Sequence, residues 1–250
     1  MTNLTILKLG GSVITEKNTP ETIDETALDG LLDAIAAATT ADSQLVVVHG
    51  GGSFGHVHAA EYGVSTTQGT SEAAAGATIH GAMKRLNQAV LDRLCDRGLE
   101  ALPVHPLSAA GREENGTLTL PTTATAGLLE EGFVPVLHGD VIAHAGKGLT
   151  VLSGDEIVTS LADSLGATRV GLCSTVPGVL DENNAVIDEI TRFEDVATVL
   201  GDSEATDVSG GMAGKVRELL ELGAPAHIFG PDALGEFLAG AEPGTRIDGR

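Results

Sequence analysis

Residues 4–12 read LTILKLGGS, a short apolar run that ends at two glycines. The pattern predicts a buried strand over residues 4–9. Similar runs, each closed by glycine or proline, predict strands over residues 45–48, 102–104, 134–137, 169–173 and 227–229. Between them, apolar residues spaced by three and four predict helices over residues 23–38, 72–97, 122–131, 155–165, 212–222 and 233–238. This alternation indicates an α/β protein with a largely parallel sheet covered by helices.

Two glycine-rich turns interrupt this alternation, ENG at residues 114–116 and AGKG at residues 145–148. They separate short apolar pieces and therefore predict two β-hairpins, placed where they can form the rim of a pocket. Neither a repeat nor a low-complexity linker in the sequence marks a domain boundary. The motifs that carry chemistry lie in two groups, before and after about residue 160. This grouping is consistent with two lobes of one continuous sheet that face a shared cleft.

The composition argues against several classes of function. The chain has 250 residues, 35 acids against 14 lysines plus arginines, and a formal net charge of −21 at pH 7. Such a charge opposes binding to nucleic acid phosphates and to anionic membranes. Because the acids are spread along the chain and aromatic residues make up 2% of it, we expect a salt-adapted, halophilic surface. An ordinary acidic cytosolic enzyme is the alternative.

Cysteine usage and the first residues indicate a reducing compartment. Cys95 and Cys173 are the only two cysteines, too few for a zinc site of their own or for a disulfide framework. The start, MTNLTILKLGG, lacks the basic and apolar segments of a secretory signal, and no run approaches 18 consecutive apolar residues. We therefore expect a cytoplasmic protein that does not associate with membranes.

The first motif with chemical content follows the opening strand. Gly10 and Gly11 allow backbone N–H groups to approach an anion, and Lys8 adds a full positive charge beside them. This combination is typical of a phosphate cradle, and a plain strand-to-helix turn is the alternative. Lys17 can reach the same anion or can be a solvated loop lysine.

The second motif is HGGGSFGH at residues 49–56. It contains the spacing G-x-G-x-x-G, but the dinucleotide fingerprint requires an acid that closes a second strand, whereas Glu72 begins a predicted helix. Three adjacent glycines before a helix favour an anion nest instead. His56 is placed to donate a hydrogen bond to that anion, although a structural histidine is the alternative. His49 and His58 are weaker candidates for ligand contact.

Two further motifs supply acids and a third lysine. Asp140 and Asp155 follow apolar runs and can hold the cradle lysines or meet a magnesium ion through water, and both can also be helix N-caps. Residues 206–215 read TDVSGGMAGK, which departs from the Walker A pattern because Val216 follows Lys215. A glycine turn with Lys215 at a helix start nevertheless indicates a contact with a polyphosphate.

Taken as a set, the motifs provide two glycine nests and at least two lysines, without a nucleophile and base pair or a metal-ligand cluster in the sequence. Such a set of residues is typical of enzymes that transfer a phosphoryl group, because positioning of the reactants and neutralisation of charge supply most of the catalysis in that reaction. The sequence therefore favours an enzyme that transfers a phosphoryl group.

The motifs KLGGS, HGGGSFGH, HGDV, SGDEI and TDVSGGMAGK, in this order, resemble those of the amino acid kinase superfamily, and within it the archaeal isopentenyl phosphate kinase family. The resemblance covers nearly the whole chain. It implies a three-layer α/β/α sandwich with a mostly parallel central sheet, formed as a single domain over residues 1–250. It further implies an acceptor-binding and dimerisation lobe over residues 1–165, a nucleotide-binding lobe over residues 166–250, a homodimer, and the use of ATP with Mg²⁺.

Residue roles follow from the same resemblance. Catalysis is assigned to Lys8, His56, Asp155 and Lys215. ATP is assigned to Lys8, Leu9, Gly10, Gly11, Ser12, Lys17, Gly52, Thr175, Gly211 and Lys215. The acceptor phosphate is assigned to Gly51, Gly52, His56 and Gly154, and no residue is assigned to a metal. The segment STVPG at residues 174–178 lacks the two acids of the T-D-V-D-G common in the family, so the resemblance does not assign the base and ribose contacts or the nucleotide preference.

The implied reaction is ATP-dependent phosphorylation of isopentenyl phosphate to isopentenyl diphosphate, a step of an alternative mevalonate route to isoprenoids. The helix carrying Ile79, Ala82, Met83 and Leu86 is a candidate wall for the hydrocarbon tail, and core packing explains these residues equally well. The alternatives are a sister kinase acting on a phosphonate or a carboxylate, such as a fosfomycin-type kinase, glutamate 5-kinase or acetylglutamate kinase, and a non-catalytic metabolite sensor. A sensor has no need for Lys8, Asp155 and Lys215 together.

Overall fold

The structure is a computed structural model that describes residues 3–40, 43–200 and 211–250. Its strands are β1 (Leu4–Leu9), β2 (Gln44–His49), β3 (Ala101–Pro103), β4 (Gly111–Arg112), β5 (Leu118–Thr119), β6 (Val134–His138), β7 (Asp140–His144), β8 (Gly148–Leu152), β9 (Arg169–Cys173), β10 (Glu189–Ile190), β11 (Ala226–Phe229) and β12 (Thr245–Ile247). Its α-helices are α1 (Gly11–Ile14), α2 (Glu25–Ala38), α3 (Gly52–Glu61), α4 (Ala73–Asp96), α5 (Thr123–Glu130), α6 (Gly154–Leu165), α7 (Ala197–Leu200), α8 (Gly211–Leu220) and α9 (Leu234–Leu238).

Eight strands form the central sheet in the order β10-β12-β11-β9-β1-β2-β6-β3. Neighbouring strands are parallel except for β11 and β12, which pair antiparallel. The six predicted strands and six predicted helices are all present, with ends shifted by at most one residue for strands and two for helices. The sequence did not predict β10 and β12, which are two and three residues long and offer little periodicity.

Helices cover both faces of this sheet, so the predicted α/β/α sandwich is confirmed. Alternate residues of β1 show the division, because Ile6 packs into one core and Leu7 into the other, both without exposure to solvent. The first core is closed by α5, α6 and α8, and the second by α1, α2, α4 and α9. Because β1 of the predicted acceptor lobe pairs with β9 of the predicted nucleotide lobe, one sheet runs through both.

The two predicted hairpins form a second, smaller sheet in the order β5-β4-β7-β8. The turn at residues 114–116 joins the antiparallel strands β4 and β5, and the turn at 145–148 joins β7 and β8. A third apolar cluster lies beneath this sheet, where Val141 of β7 meets Ala59 of α3 and Ile79 of α4. The hairpin sheet therefore packs against α3 and α4, near the carboxyl edge of the main sheet.

The longest helix, α4, has 24 residues. Neither α4 nor any other helix in the described ranges is long and apolar enough to cross a membrane.

The packing of Phe237 predicts a large effect of its truncation. Its ring is fully buried and stacks on Phe229 with 4.8 Å between centroids, and the guanidinium of Arg169 lies 4.4 Å from its centroid. We expect Phe237→Ala to lower the free energy of unfolding by about 3–5 kcal/mol, measured by urea denaturation. Leu102→Ala is the control, because this side chain is 36% exposed on the edge strand β3, and we expect a change within about 0.5 kcal/mol. Equal losses in the two variants would contradict the assigned core.

Candidate active site

Two glycine loops meet at the carboxyl edge of the central sheet. They follow β1 and β2, which are parallel neighbours with Leu9 paired to His49. A Cβ atom on Gly11 would overlap the backbone nitrogen of Gly52, and a Cβ on Gly50 would lie 2.6 Å from the nitrogen of Gly11. The two loops therefore touch through their backbones, and a side chain at either position would force them apart.

Thr15 ties the loops together by hydrogen bonds. Its hydroxyl donates to the carbonyl oxygen of Gly11 at 2.8 Å and accepts from the backbone N–H of Ser53 at 3.0 Å. Gly52, which lies between the loops, has φ of +46°, a conformation that favours glycine. The backbone amides of both loops are thus held in place by contacts within the protein.

A cavity of about 300 Å³ lies at these loops. Gly51 is the N-cap of α3, and Gly154 is the first residue of α6, and both line the cavity. Helix N-termini present free backbone N–H groups and a positive dipole end, which together attract anions. The cavity therefore has two helix starts and one glycine turn available for phosphate groups.

Two lysines share one carboxylate in this cavity. Lys8 of β1 donates to Asp155 Oδ1 with 2.6 Å between Nζ and the oxygen, and both side chains are buried. Lys215 of α8 lies on the other side, with Nζ 3.7 Å from Asp155 Oδ2, which is an ion pair without a short hydrogen bond. Asp155 therefore positions one lysine from each of the two groups of motifs.

The capping of α6 decides between the two readings of Asp155. Ser153 is the N-cap: its side chain accepts from the N–H of Glu156 at 3.1 Å, and the Glu156 carboxylate accepts from the N–H of Ser153 at 2.9 Å. Asp155 is consequently free of the capping role and faces the lysines. Gly154 leaves room for Lys8, since a Cβ there would lie 3.1 Å from Lys8 Cε.

Charge pairing opposes the effect of burial on the ionisation of these groups. Burial by itself would raise the pKa of Asp155, but the charges of Lys8 and Lys215 outweigh it and hold the pKa of this carboxyl below its usual value. Burial lowers the pKa of Lys8, and the negative charge of Asp155 opposes that effect. The pair is therefore a preformed set of charges that needs no reorganisation when an anion binds.

His49 and His56 of the second motif and the nearby His58 lie in different surroundings. His56 lines the cavity from α3. His49 is fully buried, with contacts to the carbonyl of Gly50 at 3.1 Å and to Asn87 at 3.0 Å, and burial lowers the pKa of its ring. His58 contacts Glu21 at 2.7 Å and does not line the cavity. Of the three, His56 alone borders the space where a ligand would bind.

One end of the cavity is apolar. Ile79 and Met83 of α4 line it together with Ala59 of α3 and Val151 of β8. Ala82 and Leu86, the other two residues named for a tail wall, are buried in the core and do not line the cavity. Half of the expected wall therefore faces the cavity, and the other half is explained by core packing.

Most of the predicted site residues share this cavity, namely Lys8, Gly10, Gly11, Ser12, Gly51, His56, Gly154, Asp155, Thr175 and Lys215. Lys17 and Gly52 line a second cavity of about 450 Å³, which shares Ser12 and His56 with the first. Gly211 begins α8 and lines neither of these two cavities. Residues 206–210 of the fourth motif lie outside the described residues.

The side chain of Leu9, a residue assigned to ATP, lies in the core. Its side chain is fully buried in the core on the α1 and α2 face, and its carbonyl oxygen accepts from the N–H of Gly50 at 2.9 Å. The Leu9 side chain therefore does not line the cavity, and the assignment of this residue to ATP stays a prediction. The role of Leu9 is to end β1 and to hold the second glycine loop beside the first.

Asp140 has a different role from Asp155. Its carboxylate contacts His80 Nδ1 at 2.9 and 3.0 Å and accepts from the backbone N–H of Val141 and Leu107 at 2.9 and 3.3 Å. Sequence reasoning missed His80, because a contact between residues 60 positions apart has no local signal. Asp140 therefore joins α4 to the hairpin sheet and does not hold the cradle lysines.

The cavity also contains a thiol and several acids, which bear on metal and covalent chemistry. Burial raises the pKa of Cys173 to about 12, so this thiol is protonated at neutral pH and is a poor nucleophile. Asp155 is committed to lysines and Asp140 to His80. Within the described ranges, no group of three or more His, Cys, Asp or Glu residues is arranged to hold a metal ion. These residues do not form a preformed magnesium site.

Comparisons with known proteins agree with this geometry. A model of the amino acid kinase family matches residues 3–229. The isopentenyl phosphate kinase of Haloferax volcanii is 62% identical over 248 residues, covering 99% of both chains, and that of Methanothermobacter thermautotrophicus is 36% identical, covering 98% of this chain and 99% of its own. An X-ray structure of isopentenyl phosphate kinase superposes with a TM-score of 0.84 at 30% identity, covering 98% of this chain and 100% of that one.

The contact between the glycine loops generates a prediction. We expect Gly11→Ala to lower the free energy of unfolding by about 1–3 kcal/mol, because the new Cβ would overlap backbone. We also expect ATP to bind about tenfold or more weakly, since the amides move apart. Chemical denaturation and equilibrium nucleotide binding measure the two effects.

Gly30→Ala is the matched control for this prediction. Gly30 is exposed inside α2, and a Cβ there meets no atom within 4 Å. We expect this variant to be up to about 1 kcal/mol more stable and to bind ATP normally. Normal ATP binding by Gly11→Ala would contradict the assigned cradle.

Proposed function

Because the chain belongs to the amino acid kinase family, we propose that it transfers the γ-phosphoryl group of ATP to isopentenyl phosphate, which yields isopentenyl diphosphate and ADP. The observation that carries this proposal is the cavity, which joins a cationic, glycine-lined end to an apolar end. The first end suits two phosphate groups, and the second suits a short hydrocarbon. Relatives named isopentenyl phosphate kinase match along the whole chain.

The acceptor needs no general base in this reaction. The second pKa of a phosphate monoester is about 6, so an oxygen of isopentenyl phosphate is mostly ionised at neutral pH. This oxygen attacks the γ-phosphorus, the bond between that phosphorus and the β,γ-bridging oxygen breaks, and ADP leaves with the electron pair. The lack of a nucleophile and base pair among the predicted site residues is therefore expected for this substrate.

The protein supplies positive charge where the two phosphates meet. Lys8 and Lys215 neutralise the transferring group from two sides, and Asp155 keeps the two ammonium groups in position. The amides of Gly51 and Gly154 bind the acceptor phosphate, and His56 donates a hydrogen bond to it. Such preorganised groups each contribute a few kcal/mol, about 2.7–4 where single donors have been removed from other enzymes.

The nucleotide is bound as MgATP, with the metal ion carried into the site on the phosphates. This proposal is supported by the acids of the cavity, whose oxygens are already paired with lysines or with His80. Thr175 lines the cavity after β9, on the chain segment 174–178 where nucleotide contacts are expected. In this proposal, residues 166–250 form the nucleotide-binding lobe, and residues 1–165 form the acceptor-binding lobe.

The hydrocarbon tail of the acceptor is held by the apolar end of the cavity. Ile79, Met83, Ala59 and Val151 contribute this surface. Burial of a five-carbon tail is worth roughly 4 kcal/mol at about 0.8 kcal/mol per methylene. An amino-acid acceptor would leave its charged groups against this surface, since the described lining residues include no arginine. This mismatch argues against a carboxylate kinase.

Several finer features belong to the same proposal. The enzyme acts in the cytoplasm as a homodimer formed through the first lobe, in an alternative mevalonate route to isoprenoids. Its surface is adapted to high salt, which is supported by the net charge of −21 and by the 62% identity to the protein of Haloferax volcanii. A dense carboxylate surface repels itself at low ionic strength, and salt screens this repulsion.

ADP release tests the proposed reaction directly. Isopentenyl phosphate, dimethylallyl phosphate, fosfomycin, glutamate and acetylglutamate are offered separately with MgATP, in low and in molar potassium chloride. We expect isopentenyl phosphate to give the highest kcat/KM, and we expect the rate to rise in molar salt. Turnover of only a carboxylate or fosfomycin would disprove the acceptor assignment, and no turnover with any acceptor would favour a non-catalytic sensor.

The role of His56 predicts a selective loss of activity. His56→Ala removes a donor to the acceptor phosphate, so we expect kcat for isopentenyl phosphate to fall about 10- to 100-fold with little change in KM for ATP. His58→Ala is the control, because His58 lies on the same helix and contacts Glu21 outside the cavity. Steady-state kinetics with both substrates varied measures the effect, and near-normal turnover by His56→Ala would remove this residue from the mechanism.

A further inference from the structure

Glu218 is a second carboxylate beside the two lysines, and the reaction described above does not use it. It lies on α8, three residues after Lys215 and therefore on the same side of the helix. Its Oε2 atom is buried and has no hydrogen-bond partner among the described residues. A buried, unpaired carboxylate oxygen is costly when the group is ionised, so its position requires an explanation.

The charges that face Glu218 come from three elements. Lys8 lies on β1, Asp155 and Glu156 lie on α6, and Lys215 lies on the same helix as Glu218. Both lysines already interact with Asp155, so neither is available to Glu218 alone. Two carboxylates therefore surround Glu218 as well as two shared ammonium groups, and one of these carboxylates, Glu156, is paired with Arg112 of β4 at 2.8 Å.

Charged groups on the other elements packed against α8 are paired elsewhere or, in the case of Glu194, exposed to solvent. Arg246 of β12 interacts with Glu189 and Asp248. Asp195, on the short 3₁₀-helix Phe193–Asp195, interacts with Arg192. Arg217, the neighbour of Glu218 in sequence, stacks on Phe193 with 3.9 Å between its guanidinium carbon and the ring centroid. The protonation of Glu218 is thus governed by the lysines and acids of the site.

Burial raises the pKa of Glu218 to about 7, with further contributions from the negative charges of Asp155 and Glu156. The carboxyl is therefore partly protonated at neutral pH, unlike Asp155, which the lysines keep ionised. The lysines lower the pKa of both acids, but they outweigh burial only at Asp155, whereas at Glu218 burial and two neighbouring carboxylates outweigh the lysines.

We propose that Glu218 is a positioning residue that takes up one proton from solvent when nucleotide phosphates bind, and releases it when they leave. When Glu218 is ionised, its charge competes with phosphate oxygens for Lys215 and Lys8. The arriving phosphates add negative charge beside it and make its ionised form more costly, so a proton binds to the carboxylate. The neutral acid then leaves both ammonium groups to the phosphates and acts on the reaction through Lys215.

This inference rests on the nucleotide site of the proposed function and is independent of the acceptor. The bound form holds more protons than the free form, so nucleotide affinity falls as the pH rises above about 7. The slope equals the number of protons taken up, which allows up to about a tenfold loss of affinity per pH unit. Glu218→Gln mimics the neutral acid, so its affinity is expected to stay flat in this range.

The proton count is measured by titration calorimetry with Mg²⁺ and the non-hydrolysable β,γ-imido analogue of ATP, at pH 7.5 in two buffers of different ionisation enthalpy. We expect wild type to take up about half a proton or more beyond Glu218→Gln, because most of the acid is ionised at this pH in the free protein. Proton exchange by the analogue itself cancels in this difference. Affinities from pH 6 to 9 provide the pH profile.

Glu221→Gln is the matched control, since Glu221 is an exposed acid three residues further along the chain, and we expect it to behave as wild type. Folding is checked by thermal unfolding at pH 8. A raised folded-state pKa means that ionised Glu218 destabilises the fold there, so Glu218→Gln is expected to melt at the same or a higher temperature.

Equal proton uptake and parallel pH profiles in wild type and Glu218→Gln would overturn the role of Glu218 alone. A wild-type protein that binds no nucleotide would overturn this role together with the proposed function. Proton-coupled nucleotide binding without turnover of isopentenyl phosphate would uphold Glu218 and disprove only the acceptor.

Discussion

The contact between the two glycine loops is the constraint on which the site depends. Gly11 approaches Gly50 and Gly52 so closely that a Cβ on any of them would meet backbone. This contact requires β1 and β2 to be adjacent, parallel and in the observed register. Once it is made, α3 begins at the cavity, so the positive end of its dipole faces the space proposed for phosphate groups. The close packing of the two glycine loops therefore also forms the surface that we propose for phosphate binding.

The buried ion pair of Lys8 and Asp155 adds charge to this surface and links residues 147 positions apart. Burial of either group alone would cost several kcal/mol, so each is tolerated because of the other. Lys215 makes the arrangement net positive, and Glu218 returns it towards neutrality when it loses its proton. A site that must bind two phosphates, and then release them, benefits from a charge balance that can change by one proton.

The acidic surface and the cationic cavity are complementary features of one chain. Three of its five lysines, Lys8, Lys17 and Lys215, line the two neighbouring cavities, although the chain carries a net charge of −21. Carboxylates distributed over the exterior repel anions at long range, and salt screens this repulsion within about 10 Å at 0.1 M. The buried Lys8 and the half-buried Lys215 act at contact distance inside the first cavity, where screening is weaker than at the surface. The phosphate chemistry is thus protected from the charge of the surface.

The sequence by itself determined most of the elements and the glycine motifs, because both depend on neighbouring residues. The strands Leu4–Leu9 and Arg169–Cys173 lie where their apolar runs predict them. The glycines at residues 10–11 and 50–52 predict a close approach of the backbone from sequence alone. Only the tertiary structure decided the roles of the acids. Asp155 faces the lysines because Ser153 takes the N-cap, Asp140 contacts His80, and Glu218 lies beside the lysines without a partner. Each of these outcomes depends on elements far apart in the chain, and local pattern carries no information about which distant charge a carboxylate will meet.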